Sequence, residues 1–167
     1  MTGPAARVVL EGISKVFGRT VAVEEVSLTV EPGELVTLLG PSGCGKTTTL
    51  RIVAGLEVAT AGRGFIGGEE VTPLPANARD VSMVFQSYAL FPHLTVYENV
   101  AYGLTVLKRP AAEVRRAVEE ALALTGLGGL GDRNPGALSG GQQQRVAVAR
   151  ALVLQPIASA LLESLST

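Results

Sequence analysis

The sequence has no tryptophan, one histidine and one cysteine in 167 residues, and aromatics make up only 4%. The lone thiol, Cys44, excludes an internal disulfide and suits a reducing cytosol. Charge of one sign is also missing: 14 Lys and Arg against 15 Asp and Glu leave a net charge of −1. Without a basic stripe, no nucleic acid is expected among the partners. No stretch approaches the run of about eighteen apolar residues that a spanning helix needs. The N-terminal apolar run, Val8 to Leu10, stops at Glu11 and is too short for a signal peptide. Service to a membrane would therefore come from outside the bilayer. Internal repeats, heptads and low-complexity linkers are absent too. What remains is 47% hydrophobic residues and 20 glycines, enough for one domain with a respectable core.

Along the chain, "ARVVLEGISKVF" and "TVAVEEVSLTV" alternate apolar with polar residues and read as strands, the second ended by the turn "EPGE". "LVTLLG", Leu35 to Gly40, is continuously apolar and reads as a strand buried on both faces of a parallel sheet. "TTTLRIVAGL" predicts a helix ending near Gly55, and Gly67 and Gly68 predict a hairpin. Asp80 to Gln86 is a further strand. "PAAEVRRAVEEALAL" places Val114, Val118, Ala121 and Leu122 on one helical face, with its charges on a solvated one. "LSGGQQQRVAVARALVL" opens a helix on an N-cap serine, Ser139. "IASALLE" reads as a last strand. Strands alternating with helices give an α/β layered fold with a helical insert.

"GPSGCGKT", Gly40 to Thr47, fits G-x-x-x-x-G-K-[ST] between a strand and a helix. Gly43 and Gly45 can turn tightly and let N–H groups face phosphate oxygens. The helix that follows points the positive end of its dipole at the same anion. Lys46 can reach the β and γ phosphates, and the Thr47 hydroxyl can ligate Mg²⁺. The bland alternative is a glycine turn with a solvated lysine, and the buried strand before it argues against that. Cys44 reads as a small filler, since no base lies near it in sequence.

Two further stretches narrow the reading. Leu138 to Leu152, "LSGGQQQRVAVARAL", resembles the signature of the ABC (ATP-binding cassette) ATPases. Met83 to Leu104, "MVFQSYALFPHLTVYENVAYGL", resembles their Q-loop and adjoining helical region. Order and spacing also match, and the wording is similar to that of importer ATPases for polyamines and ferric ion. The resemblance implies a P-loop NTPase core around a mainly parallel sheet, with N-terminal antiparallel strands and a helical subdomain. Residues 1–86 would be the core, 87–135 the helical subdomain, and 136–167 the signature helix and last strand. It also implies ATP and Mg²⁺ as cofactors, transmembrane permease subunits as partners, and a place on the cytoplasmic face of the membrane.

Within that resemblance, Gly40, Pro41, Ser42, Gly43, Cys44, Gly45, Lys46 and Thr47 form the cradle, and Thr48 would bond the α phosphate. Phe17 matches the aromatic that stacks on adenine, with ordinary strand packing as the alternative. Gln86 matches the glutamine that ligates Mg²⁺ and senses the γ phosphate. Ser139, Gly140, Gly141 and Gln142 match the signature tip, presented across a homodimer to the partner's ATP in an isologous arrangement. Tyr88, Leu90 and Phe91 are candidates for the permease dock, or else subdomain core. His93 precedes the signature, so it is not the family's switch histidine.

The tail departs from the pattern. In the family, the proline after the signature helix opens P-x-h-h-h-h-D-E-P-h-S, with h apolar. Counting from Pro156 puts the metal-holding aspartate (Walker B) on Leu162 and the catalytic glutamate on Glu163. Leucine offers Mg²⁺ no oxygen, and phosphoryl transfer depends on positioning and charge. The chain also stops before the D-loop, the switch histidine and the remaining strands, so the fold is expected to be incomplete at its C-terminus. The expectation is poor or no hydrolysis by this polypeptide alone. Two readings of the tail stand: a diverged strand, or an arbitrary ending with Glu163 in register by chance. At the level of function, the alternatives to an importer ATPase are a nucleotide-binding module without catalysis and a non-functional fragment.

Overall fold

The structure, a computed structural model, describes residues 6–85, 87–156 and 158–161. Regular elements follow the order β1 (Val8–Phe17), β2 (Thr20–Val30), α1 (Lys46–Val53), β3 (Ala61–Ile66), β4 (Glu69–Glu70), β5 (Val81–Val84), α2 (Val96–Val106), α3 (Ala111–Leu124), α4 (Gly140–Leu152) and β6 (Ala158–Leu161). They fall into two compact units. One runs to Val81 and takes in β6, and the other is Ser82–Gln155.

In the first unit, β1 pairs antiparallel with both β2 and β3, and β3 pairs with β4, giving the order β2-β1-β3-β4. The β3–β4 hairpin turns on Gly67 and Gly68, both at positive φ, as their spacing in the sequence predicts. The β1–β2 ladder slips register between Leu10 and Ile13. A bulge of this kind adds one residue to a strand, so Leu10 and Ile13 both reach the core despite their odd spacing. Side chains replace ladder bonds where the backbone slips: Gly12 N–H donates to Ser27 Oγ and Glu25 N–H to Ser14 Oγ, each at 2.9 Å. Val23 and Ile52 complete this core, so α1 is seated on the sheet through its apolar side.

One sequence expectation fails. Leu35 to Gly40 forms no strand among the described residues, and Leu35 and Leu39 are 92% and 70% exposed. A continuous apolar run specifies a demand for burial. A strand, however, exists only where a neighbour completes its ladder, and no described residue pairs with this run.

The second unit is a three-helix packing. The α3 residues Val114, Val118, Ala121 and Leu122 are all buried, as their spacing predicts. They meet Val96, Val100 and Leu104 of α2 and Val146 and Ala149 of α4. Helix α4 begins on Ser139, whose Oγ accepts from Gln142 N while Gln142 Oε1 accepts from Ser139 N, a full capping box. Thr95 and Glu98 build the same box at α2. That second box stands in the sequence as T-x-x-E.

Candidate functional site

The glycine-rich loop enters α1 through Gly45, which caps the helix at φ 89° and ψ −3°. No side chain caps this terminus and no acidic residue sits in its first turn, whereas α2 and α4 are both boxed in. The first internal bond of α1 is Thr49 N–H to Gly45 O at 2.8 Å. The N–H groups of Lys46, Thr47 and Thr48 thus face outward at the positive end of the dipole, the arrangement that binds anions.

Lys46 Nζ lies inside the loop, donating to Gly40 O and Pro41 O at 2.7 Å each and to Cys44 Sγ at 3.3 Å. The ammonium is held within the glycine-rich loop, where an entering anion would have to draw it away from those carbonyls. Thr47 is exposed at the helix start, Thr48 half-buried beside it, and Ser42, Gly43 and Cys44 are exposed. Bare amides, a cation and no competing carboxylate fit a nucleotide's phosphates. For Mg²⁺ the fit is thinner: Thr47 offers a hydroxyl, and no cluster of three metal-ligating side chains occurs among the described residues. Gln86 and Glu163, the expected metal sensor and catalytic carboxylate, lie outside the described residues, as does Leu162.

Two features without any signal in the sequence brace the loop's unit. Arg79 donates to Ile52 O at 2.6 Å and Val53 O at 2.9 Å, at the C-terminal end of α1, and also to Leu74 O and Thr72 O. The same end closes in a Schellman motif, Leu56 N–H to Arg51 O and Gly55 N–H to Ile52 O. Lys15 pairs with Glu57 at 2.7 Å and lies 4.7 Å from the centre of the Phe17 ring. Phe17 itself is 47% exposed at the end of β1. Strand packing therefore does not consume it.

In the second unit, the capping box holds Ser139 Oγ as an acceptor, which leaves its O–H free to donate outward beside the N–H groups of Gly140 and Gly141. The segment Tyr88 to Phe91 leads to α2. Leu90 packs against the apolar clusters, and the half-buried Phe91 ring stacks on Tyr102 with centroids 4.6 Å apart. Asn99, fully buried, holds this approach: its Oδ1 accepts from Phe91 N, and its Nδ2 donates to the carbonyls of Phe91, Leu94 and Thr95.

The ABC transporter family model matches residues 23–161. The chain belongs to the ABC transporter family. Over 160 residues it is 66% identical to the "Fe(3+) ions import ATP-binding protein FbpC" of Brucella abortus (strain 2308), covering 96% of this chain and 45% of the relative. The protein of the same name from Agrobacterium fabrum is 64% identical over 159 residues, with 95% and 45% covered. The chain thus spans about half the length of the curated relatives it matches. Among solved structures it is similar to the dimeric structure of MJ0796, a bacterial ABC transporter cassette, with a TM-score of 0.83 and 33% identity. That match covers 92% of this chain and 72% of the other. The same cassette bound to ADP and Pi matches with a TM-score of 0.82. The fold is therefore the P-loop NTPase fold of ABC cassettes. No helix among the described residues is long and apolar enough to cross a membrane.

Within this ABC chain, the capping carboxylate of α2 titrates with stability. Glu98 Oε2 accepts from Thr95 N–H at 2.7 Å, and this bond, with the Thr95 side chain beside it, holds its carboxyl below the ordinary glutamate range. A depressed folded pKa means that the unfolded chain takes up the proton first. The stabilisation is present above the unfolded value and is lost as pH falls through the folded one. Thermal midpoints followed from neutral pH into the acid range will fall less steeply for Glu98→Gln than for the parent chain.

Proposed function

We propose that the chain is the nucleotide-binding part of an ABC importer ATPase, holding Mg²⁺-ATP in the loop Gly40–Thr47 to drive uptake through transmembrane permease subunits. The single observation that carries the reading is the bare, cation-bearing start of α1 in a chain of this family. Its relatives' naming for Fe(3+) import makes ferric ion the proposed solute. Lys46 and the α1 amides hold the β and γ phosphates, Thr48 the α phosphate, and Phe17 the adenine. Thr47 and Gln86 are the proposed metal ligands. Bound Mg²⁺ supplies charge neutralisation at the phosphates, and the residues of this chain orient and enclose them. Ser139, Gly140, Gly141 and Gln142 contact the nucleotide of a second copy in a homodimer. The site of action is the cytoplasmic face of the membrane. Tyr88, Leu90 and Phe91 form the proposed permease dock.

The sequence favours a second reading at one point. Leucine stands where the family places the aspartate of the metal shell, so nucleotide binding without turnover is the proposed behaviour of this polypeptide. Thermal unfolding with and without Mg²⁺-ATP tests both. At a hundred times Kd, a ligand selective for the native state adds about 2.7 kcal/mol, or roughly 5–10 °C for a chain of this size. Lys46→Ala should abolish the shift. Phosphate release should be at background in the parent chain and measurable in Leu162→Asp. A midpoint indifferent to nucleotide sinks the binding reading, and brisk turnover by the parent sinks the second.

A further inference from the structure

The helix that carries the signature tip at its start carries Arg150 near its end, about 15 Å further along. The guanidinium donates from Nη1 to Ala89 O at 2.7 Å and from Nη2 to Tyr88 O at 2.8 Å. It also lies 5.6 Å from the centre of the Phe91 ring. Tyr88 and Phe91 belong to the proposed permease dock, and Ala89 lies between them beside Leu90, its third member. Tyr88 and Ala89 are both in the left-handed region, at φ 59° and 45°, where a non-glycine residue costs about 1 kcal/mol or more. Consecutive residues keep such a conformation only where their surroundings impose it. The one planar fork that binds both carbonyls belongs to α4, and local turns, Tyr88 N–H to Phe85 O and Ala89 N–H to Ser87 O, complete the knuckle. Phe91, by contrast, is held from α2 through Asn99.

We infer that Arg150 is a positioning residue that sets the shape of the docking knuckle from the signature helix, so that the dock is formed only when α4 is in place. The inference rests on the importer reading for what docks there, and on geometry alone for what holds the knuckle. A lysine cannot reproduce it, because one ammonium does not offer two parallel N–H groups to two carbonyls.

Amide hydrogen exchange separates the clasp from the dock. In Arg150→Gln, the amides of Tyr88 and Ala89 should exchange at least about tenfold faster, while Phe91 and helix α3 stay within about twofold. Binding of Mg²⁺-ATP to the chain should be unchanged within about twofold, and affinity for its transmembrane partner in lipid nanodiscs should fall about tenfold or more. Arg150→Lys should recover less than half of either effect. Unchanged exchange at Tyr88 and Ala89 overturns the clasp. Faster exchange with undiminished partner affinity overturns the positioning role. A parallel rise at all amides reduces Arg150 to a general stabiliser and also overturns it. If the parent chain binds no transmembrane partner, the importer reading falls and takes the dock with it, while the exchange data still decide whether the arginine shapes the knuckle.

Discussion

Gly45→Ala will cost the chain its nucleotide binding and about 2–4 kcal/mol of stability. A methyl group at this position would stand 2.4 Å from Ala22 O and 3.1 Å from Val23 Cγ2. The first of these is main chain in β2, so no rotamer change relieves the collision. The residue also sits at φ 89°, which adds strain of its own. To make room, the start of α1 must move off the strand, and the N–H groups of Lys46 to Thr48 then no longer converge on one anion. Gly43→Ala is the internal control. It shares the positive φ, at 82°, but a Cβ there meets nothing within 4 Å. It should lose only about 1 kcal/mol of stability. Calorimetric titration with Mg²⁺-ATP, beside urea unfolding of each variant, checks the pair; equal losses in both would refute the steric account.

The second large effect is expected at Asn99. Its side chain is fully buried and serves four backbone partners, three of them carbonyls. Truncation to alanine leaves Phe91 N–H and Leu94 O without their partner, while the Phe91 and Thr95 carbonyls keep Leu94 N–H and Asn99 N–H, at a cost of about 3 kcal/mol. Asn99→Asp is more telling because it preserves shape. It keeps the acceptor for Phe91 N–H but turns an oxygen toward the carbonyls of Phe91, Leu94 and Thr95. The aspartate must bind a proton to stay folded, so its folded pKa is raised. Its deficit relative to the parent should therefore be largest at neutral pH and shrink as pH falls toward the carboxylate range. Urea unfolding at two pH values reads this directly. A deficit independent of pH would mean that the site has opened to water.

What could be read from the sequence is local, and what could not is not. The phosphate loop was legible because eight consecutive residues specify turn, cation and helix start together. The buried face of α3 was legible because Val114, Val118, Ala121 and Leu122 recur at the helical period. Ser139 announced its helix for the same reason. Leu35 to Gly40 misled because apolar continuity says nothing about which neighbour supplies the ladder. Arg150, Arg79 and Asn99 left no trace because their partners are main-chain groups, which nearly every residue possesses. An arginine that binds Tyr88 and Ala89 from 62 and 61 positions away looks, in sequence, like any charge on a helix. The box at Thr95 and Glu98 was written plainly enough and was overlooked among the aromatics around it.

Arg79 has a bearing on the far end of its helix. With eight residues, α1 is about 12 Å long, so its two poles are close together. A dipole that short pulls on an anion at its start and still pushes on it from its finish, several-fold more weakly. By placing a guanidinium on the carbonyls of Ile52 and Val53, the fold cancels the opposing pole and leaves the attracting one uncompensated. For an anion at its start, such a helix would act less like a magnet with two ends than like a single positive point, which is what the proposed binding of a polyanion asks of a helix barely two turns long.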